Sequence, residues 1–513
     1  MDGFIQKYRA DVTGALSGWD RLMFRGTLRA LAVAKGMMDY LHHVGVLLKD
    51  FGSFVEQSSQ RLKLACTQAA EQMGRPIRYL PSSQTRKEDV AADITRADRI
   101  TEGLIGLLTC VEPCMTYSIR RDPVQKKLVL EPALRKCLHI YHYFMDRDFG
   151  LMHARIQTWF PFSIQVCLNG RLWLARQLGR RGTNYVQADN CFLRLTDPPA
   201  AQHLMDGLLR WNWPTYLGRL ARHVNPVLLE ILAGYRVNYY WSTYESEWAT
   251  DVMFRSPSAL AAIYPALARG AITAFGSSNV LRFLGKKWVG DTKQVCSEYR
   301  RRPEGLRVKH ALGSNSVKMY DKAGSVLRVE TTINDPRDMK VYRSGEGDSG
   351  GRYSWRRMRK GVVDLRRRAE VSQGCNERYY EALSTLDTST PLRELIAPIT
   401  RATTLRGRHV RGLRPWAGED LTLLRQINRA EYLLNGFRNR DLATVLYPSA
   451  TTQDKRRTSA RVSQRLRRLR AHHLIRKLPH THRYQLTSRG RQIVTAILQA
   501  QDLSLATLEK IAA

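Results

Sequence analysis

Between Thr116 and Asp197 the chain repeats one pattern: short runs of β-branched and aromatic residues broken by Pro, Gly, Asn or Asp. Thr116–Asp122 (TYSIRRD) and Lys126–Pro132 (KKLVLEP) are separated by Pro-Val-Gln and predict a hairpin. Cys137–Phe144 and Met152–Phe160 flank MDRDFGL and predict another. Ser163–Gly170 is a strand ending on Asn-Gly, followed by a helix, RLWLARQLGRRG. Tyr185–Asp197 reads as a strand pair or one long strand, and Pro198-Pro199 opens a further helix. Closely spaced strands of this kind pair antiparallel, because a parallel crossover needs a dozen or more residues.

Strand signals continue on both sides. Val12–Arg29 reads as an early strand, and Val237–Ser256 and the stretch from Leu306 to Asn334 add more sheet. Helical spacing of Leu41, Val44, Leu47 and Phe51 predicts a helical insertion at about 30–100. The fold class expected is therefore α+β, with a mainly antiparallel sheet in residues 1–345. Gly345–Gly351 (GEGDSGG) reads as a linker. A basic helical segment and linker is expected over 346–415, with Trp355–Val371 as its helix, and a separate C-terminal domain over 416–513.

Charge narrows the partners. Lys and Arg number 82 against 46 Asp and Glu, a net charge of +36. Such an excess repels itself in a folded chain unless a polyanion offsets it, so nucleic acid is the expected partner. DNA is the first expectation and structured RNA the alternative. There is no apolar run of the length a membrane span requires, and the N-terminus lacks the pattern of a secretory signal. Eight cysteines suit a reduced compartment, and a cytoplasmic, membrane-free protein is expected. No phosphate-binding G-x-x-x-x-G-K-[ST] loop occurs. Oligomeric state is not encoded in any pattern we identify.

The C-terminal segment has a distinct order: a helix in EDLTLLRQINRAEYLL, a short helix opening at Asn439 or Arg440 and ending at Pro448, and a third over Thr458–Leu474. Val462, Leu466, Leu469 and His473 supply the third helix with its apolar stripe, while Arg461, Arg465 and Arg468 share another side. Leu474–Thr487 reads as strand, turn, strand, before a closing helix. This order, and the run LRAHHLIRKLPHTHRYQLTSRG in particular, resembles the winged helix-turn-helix of bacterial regulators and mobile-element proteins. His473 stands where that turn commonly carries Gly. The resemblance implies that Arg461, Arg465 and Arg468 face a major groove, and that the wing, with Arg476, Lys477, His480 and Arg483, reaches phosphate or minor groove.

Upstream, Leu306–Arg343 contains Gly-Ser-x-Ser, Tyr-Asp-Lys and Leu-Arg-x-Glu in succession. The series resembles the end of the nicking domain of rolling-circle plasmid replication initiators, members of the wider HUH-like group. Trp19-Asp20, LNGRLWLARQL and Val186–Asp197 follow that group's order, but the chain has no His-hydrophobic-His pair. The resemblance implies a plasmid- or mobile-element-encoded endonuclease that nicks DNA with a tyrosine nucleophile and Mg²⁺ or Mn²⁺. Tyr320 would attack. Glu330 and Asp189, with Asp20 or Asp197, would hold the metal. Lys318 and Lys322 lie in step with Tyr320 along a strand and would hold phosphate. Without chemistry, the same residues read as a polar patch on a nucleic-acid-binding sheet. The chain would then be a non-enzymatic winged-helix regulator or an RNA-binding component of a ribonucleoprotein.

Weaker signals remain. Cys110, Cys114, Cys137 and His142 are a candidate zinc quartet, with buried core thiols as the favoured reading. Glu245, Glu247 and Asp251 share a strand face, favoured as the solvated face of an edge strand. Trp355, Arg356, Arg357, Arg359 and Lys360 mix an aromatic ring with cations, a composition suited to unpaired bases and phosphates.

Overall fold

The computed structural model describes residues 1–285, 295–302, 305–345, 353–384, 386, 392–428, 432, 436–448, 454–479 and 481–501. His480 and most of the Gly345–Gly351 stretch lie outside the described residues. The protein is a mixed α/β chain dominated by a mainly antiparallel sheet. Two compact units interleave along the sequence: Met1–Val12, Phe254–Val329 and Gly374–Ala513 form one, Thr13–Met253 and Glu330–Gln373 the other. The divisions fall at the start of the strand Val12–Leu28, at the end of the strand Tyr239–Phe254, inside a third strand and inside the helix Leu365–Ser384.

The second unit carries β1 (Val12–Leu28), β2 (Ile77–Tyr79), β3 (Gly103–Arg121), β4 (Leu128–Asp146), β5 (Gly150–Gln157), β6 (Ile164–Asn169), β7 (Tyr185–Ala188), β8 (Cys191–Leu195) and β9 (Tyr239–Phe254). Helices Ala34–His43, Phe51–Gln72 and Lys87–Ala97 occupy the expected insertion. The expected hairpins are present, but Lys126–Pro132 and Cys137–Phe144 merge into one strand and Thr116–Asp122 extends back to Gly103: β3 and β4 are both 19 residues long and pair from Gly103↔Met145 to Arg121↔Leu128. Strand β2 pairs parallel with β3.

The first unit holds β10 (Val295–Arg302), β11 (Gly305–Leu312), β12 (Asn315–Lys322) and the start of β13 (Val326–Ile333), in that order. In the second unit the order runs β13-β9-β1-β6-β5-β4-β3-β2. Strand β9 is therefore internal, between β13 and β1. The expectation of a solvated edge strand is overturned: Asp251 is fully buried and Glu247 half-buried.

A second correction concerns Trp355–Val371. Residues 353–357 are not helical; they form β15 (Tyr353–Arg357), paired with β14 (Lys340–Ser344), and the helix starts only at Leu365. Tyr353 and Trp355 favour a strand, and cross-strand pairing with Tyr342 outweighs the helix preference of the arginines.

After β16 (Thr403–Leu405) and β17 (Arg408–Val410), the C-terminal part of the first unit has helices Gly418–Ile427, Asn439–Leu446, Lys455–Ala471 and Ser488–Gln501. A small sheet joins β18 (Phe437–Arg438), β20 (Arg483–Leu486) and β19 (Ile475–Lys477) in that order. Val462, Leu466 and Leu469 are buried as expected, in one core with Leu424, Phe437 and Ile493. His473 is exposed, not part of the stripe; it takes a left-handed conformation (φ 56°), the usual role of Gly after a helix.

Candidate metal centre

Three neighbouring strands of the second unit converge on one point. Asp20 on β1, Glu247 on β9 and Glu330 on β13 place carboxylate oxygens within 4.8 Å of one another. Asp20 and Glu330 are buried and Glu247 is half-buried. Three carboxylates this close repel strongly in a buried setting, and a cation among them relieves that repulsion. The trio could hold a metal ion.

The local sequence explains how Asp20 is aimed. Asn169 Nδ2 donates to Asp20 Oδ1 at 2.8 Å, and Asn190 Nδ2 donates to both carboxylate oxygens at 2.8 Å. Asn169 ends β6 and caps the following helix, Gly170–Arg180: its Oδ1 accepts from Arg171 N (2.7 Å) and Leu172 N (3.2 Å). One side chain thus fixes a helix start and a carboxylate. Gly170 is required next, because a Cβ there would stand 2.3 Å from the Trp19 carbonyl oxygen. Arg171 follows, fully buried, 3.1 Å from Asp251 of β9 and donating to the Ala249 carbonyl at 2.9 Å. Three consecutive residues therefore orient Asp20, admit the helix against β1, and bind that helix to β9.

Behind the centre, Trp19 and Trp248 meet edge to face at 4.8 Å, and Trp248 Nε1 donates to Gln373 at 2.7 Å. In front lies a cleft of about 400 Å³ lined by Asp20, Glu247, Asn190, Asp189 and Arg21, with Glu88 from the Lys87–Ala97 helix. His153 and Cys167 also line it. Burial, with the Arg21 charge nearby, drives the His153 imidazole down to about 3, so it is neutral at pH 7.

Asp189 occupies the β7–β8 turn with φ 53° and lines the cleft, but it is not one of the converging trio. Its neighbour Asn190 is the residue that reaches Asp20. Asp197 is committed elsewhere, accepting from Ala200 N at 2.9 Å as a helix cap. Glu247 is the ligand candidate misassigned from the sequence. Its signal was present in the alternating carboxylates of Glu245, Glu247 and Asp251, but the internal position of β9 was not.

Tyr320, Lys318 and Lys322 sit half-buried on β12, alternating with buried Val317 and Met319. Across the strand pair, Arg307 faces Tyr320 and Lys309 faces Lys318. The expected one-sided grouping of Tyr and Lys is thus present on the first unit's sheet.

The zinc quartet does not assemble. Cys110, Cys114 and Cys137 share one face of the β3–β4 pair, but His142 is five residues from Cys137, an odd step that turns it to the other face. The imidazole on the Cys face is His139, with Nδ1 3.9 Å from Cys137 Sγ. All four proposed ligands are buried, and no cysteine-containing metal cluster occurs among the described residues.

The expected reading face of the Lys455–Ala471 helix also changes. Arg461 is exposed, but Arg465 is buried against Glu419, and Arg468 pairs with Asp420 at 2.8 Å. Positions 461, 465 and 468 lie one residue from the apolar stripe, so they border the crease with the Gly418–Ile427 helix, where those carboxylates stand. The solvent side instead shows Arg456, Arg457, Ser459, Ser463 and Gln464. Arg476 and Lys477 of β19 are exposed; Arg483 of β20 is half-buried. Arg359 is likewise engaged, with its backbone N (2.9 Å) and Nε (3.2 Å) both donating to Asp364.

No helix among the described residues is long and apolar enough to cross a membrane. Compared with known protein families, with curated proteins and with solved structures, the chain matches none.

Proposed function

We propose that the protein is a divalent-metal-dependent enzyme that cleaves phosphodiester bonds in nucleic acid, with Asp20, Glu247 and Glu330 as metal ligands. The convergence of these three carboxylates from adjacent strands carries the reading. Their hard oxygens suit Mg²⁺ or Mn²⁺. A cation held there would polarise a scissile phosphate. Asn169 and Asn190 hold the Asp20 carboxylate at a fixed angle, as a metal ligand's outer partners do. The charge of +36 supports a polyanionic substrate, with DNA first and RNA second. Tyr320, on the first unit's sheet, is a separate candidate as a nucleophile, and the metal reading stands without it. Its Oη would bond to phosphorus as the bond to the 3′ oxygen breaks, leaving a 5′-phosphotyrosyl link, with the phenol proton passing to the departing 3′ oxygen. The small C-terminal domain, read as a winged helix, would dock on a duplex.

The test uses the full chain with supercoiled plasmid, single-stranded DNA and RNA, in Mn²⁺. Cleavage is expected in the parent, and Asp20→Asn should abolish it while binding persists. A denaturation-resistant adduct lost in Tyr320→Phe would identify transfer to tyrosine; cleavage without an adduct would identify hydrolysis. Binding without cleavage of any substrate would overturn the enzymatic reading and leave a DNA-binding regulator or a ribonucleoprotein component.

A further inference from the structure

The β14–β15 hairpin shows three large aromatic side chains to solvent. Tyr342 is 56% exposed, Tyr353 55% and Trp355 69%. Pairing places them together: Tyr342 faces Trp355 and Ser344 faces Tyr353, on the side of the hairpin that also bears the Lys340–Arg357 pair. The Tyr342 ring centroid is 5.8 Å from that of Tyr353 and 5.8 Å from that of Trp355. Lys340 and Arg357 are exposed as well. Among the described residues no carboxylate belongs to this face.

The opposite side is fastened down. Val341 packs with Ile333, Met339 and Met358 in a small core. Arg343 is buried and donates through Nε (3.2 Å) and Nη2 (3.0 Å) to the Arg357 carbonyl. It also lies 3.8 Å from the Asp364 carboxylate, which Arg367 meets at 2.9 Å. Burial raises the Asp364 carboxyl, but Arg359 and Arg367 outweigh that effect and hold it below the usual carboxylate range. The aromatic face is thus presented on a backbone already ordered, which lowers the entropy cost of binding.

We infer that this face is a stacking platform for single-stranded nucleic acid. It rests on the reading above that the protein acts on nucleic acid, and adds which form is held and where. Aromatic faces take bases of any sequence, while Lys340 and Arg357, paired at one end of the aromatic row, take the neighbouring phosphates. An apolar protein partner would be met by a face of different composition: among the described residues of this face aliphatic anchors are absent and the charges are positive. The sequence exposes Trp355 with its arginines, but Tyr342 joins it only through strand pairing.

Fluorescent oligothymidylate, oligouridylate and a duplex of equal length would be titrated against the full chain and two variants. One variant combines Tyr342→Ala, Tyr353→Ala and Trp355→Ala; the other is Trp355→Phe. All three positions are exposed, so the melting temperature should stay near that of the parent. The triple variant should lose about tenfold or more in affinity for the single strands, while Trp355→Phe stays close to the parent and the duplex is little affected. A triple variant that binds single strands like the parent overturns the platform alone. Equal losses on single strand and duplex also overturn it, since stacking on unpaired bases would not be the cause. A parent that binds no nucleic acid overturns both this inference and the reading beneath it.

Discussion

Gly170 and Asn169 show how one residue type is dictated by a neighbour far away in sequence. The carbonyl of Trp19 leaves no room for a Cβ at position 170. Gly170→Ala should therefore cost about 1–3 kcal/mol as an overpacked site, measured by denaturant unfolding. It should also lower metal affinity, because the Asn169 cap moves with it. Asn169→Ala should leave the strand intact but weaken Mn²⁺ binding about tenfold or more in calorimetry, as loss of an outer partner does. His473 makes the opposite case. Its left-handed backbone is a conformation Gly adopts without strain. His473→Gly should raise the stability of the C-terminal segment by about 1 kcal/mol, read from its thermal transition.

At the scale of elements, buried ion pairs fix how helices meet their neighbours. Arg171 and Asp251 join the Gly170–Arg180 helix to β9, and both are shielded from water. Removing one partner leaves a buried charge, so Arg171→Met should destabilise by about 3–5 kcal/mol, whereas replacing both by apolar residues should cost much less. Urea unfolding of the two single variants and the double variant would show it. Arg468 and Asp420 play the same part between the Lys455–Ala471 and Gly418–Ile427 helices. Arg468→Ala should thus act through stability. Arg456→Ala with Ser463→Ala, on the solvent side, should reduce duplex binding with the fold unchanged, as fluorescence anisotropy and circular dichroism together would reveal.

For the whole molecule, buried histidines govern the response to acid. Burial pushes His142 down to about 4, His153 to about 3 and His310 to about 4. The unfolded chain takes up protons on these residues near 6.5, while the folded chain stays neutral there. Stability is therefore full above about 6.5 and falls as pH drops towards 4, with each histidine contributing about 1.4 kcal/mol per pH unit. Melting temperature measured across that range should decline, and His142→Gln should flatten the slope. The net charge of +36 belongs to the same scale. Affinity for any nucleic acid should fall steeply with salt on a double-logarithmic plot.

Strand signals and hairpins between Val12 and Asn334 were legible because they depend on residues close in sequence: alternation, Asn-Gly, and the Pro-Pro that opens a helix. Asp20 and Glu330 were legible as candidate ligands for the same reason, each standing in a recognisable local run. Glu247 was not. Its alternating carboxylates look the same on an edge strand and an internal one, and only long-range pairing puts β9 between β13 and β1. The arginines of the Lys455–Ala471 helix failed in the same way: spacing placed them on one flank, but not which neighbouring carboxylates that flank would meet. Trp355 was seen beside its arginines, yet its partners Tyr342 and Tyr353 became neighbours only when a predicted helix proved to be half of a hairpin. Local propensity fixes the identity of most elements here, whereas burial and convergence depend on which elements lie side by side, and that is a property of the packed chain.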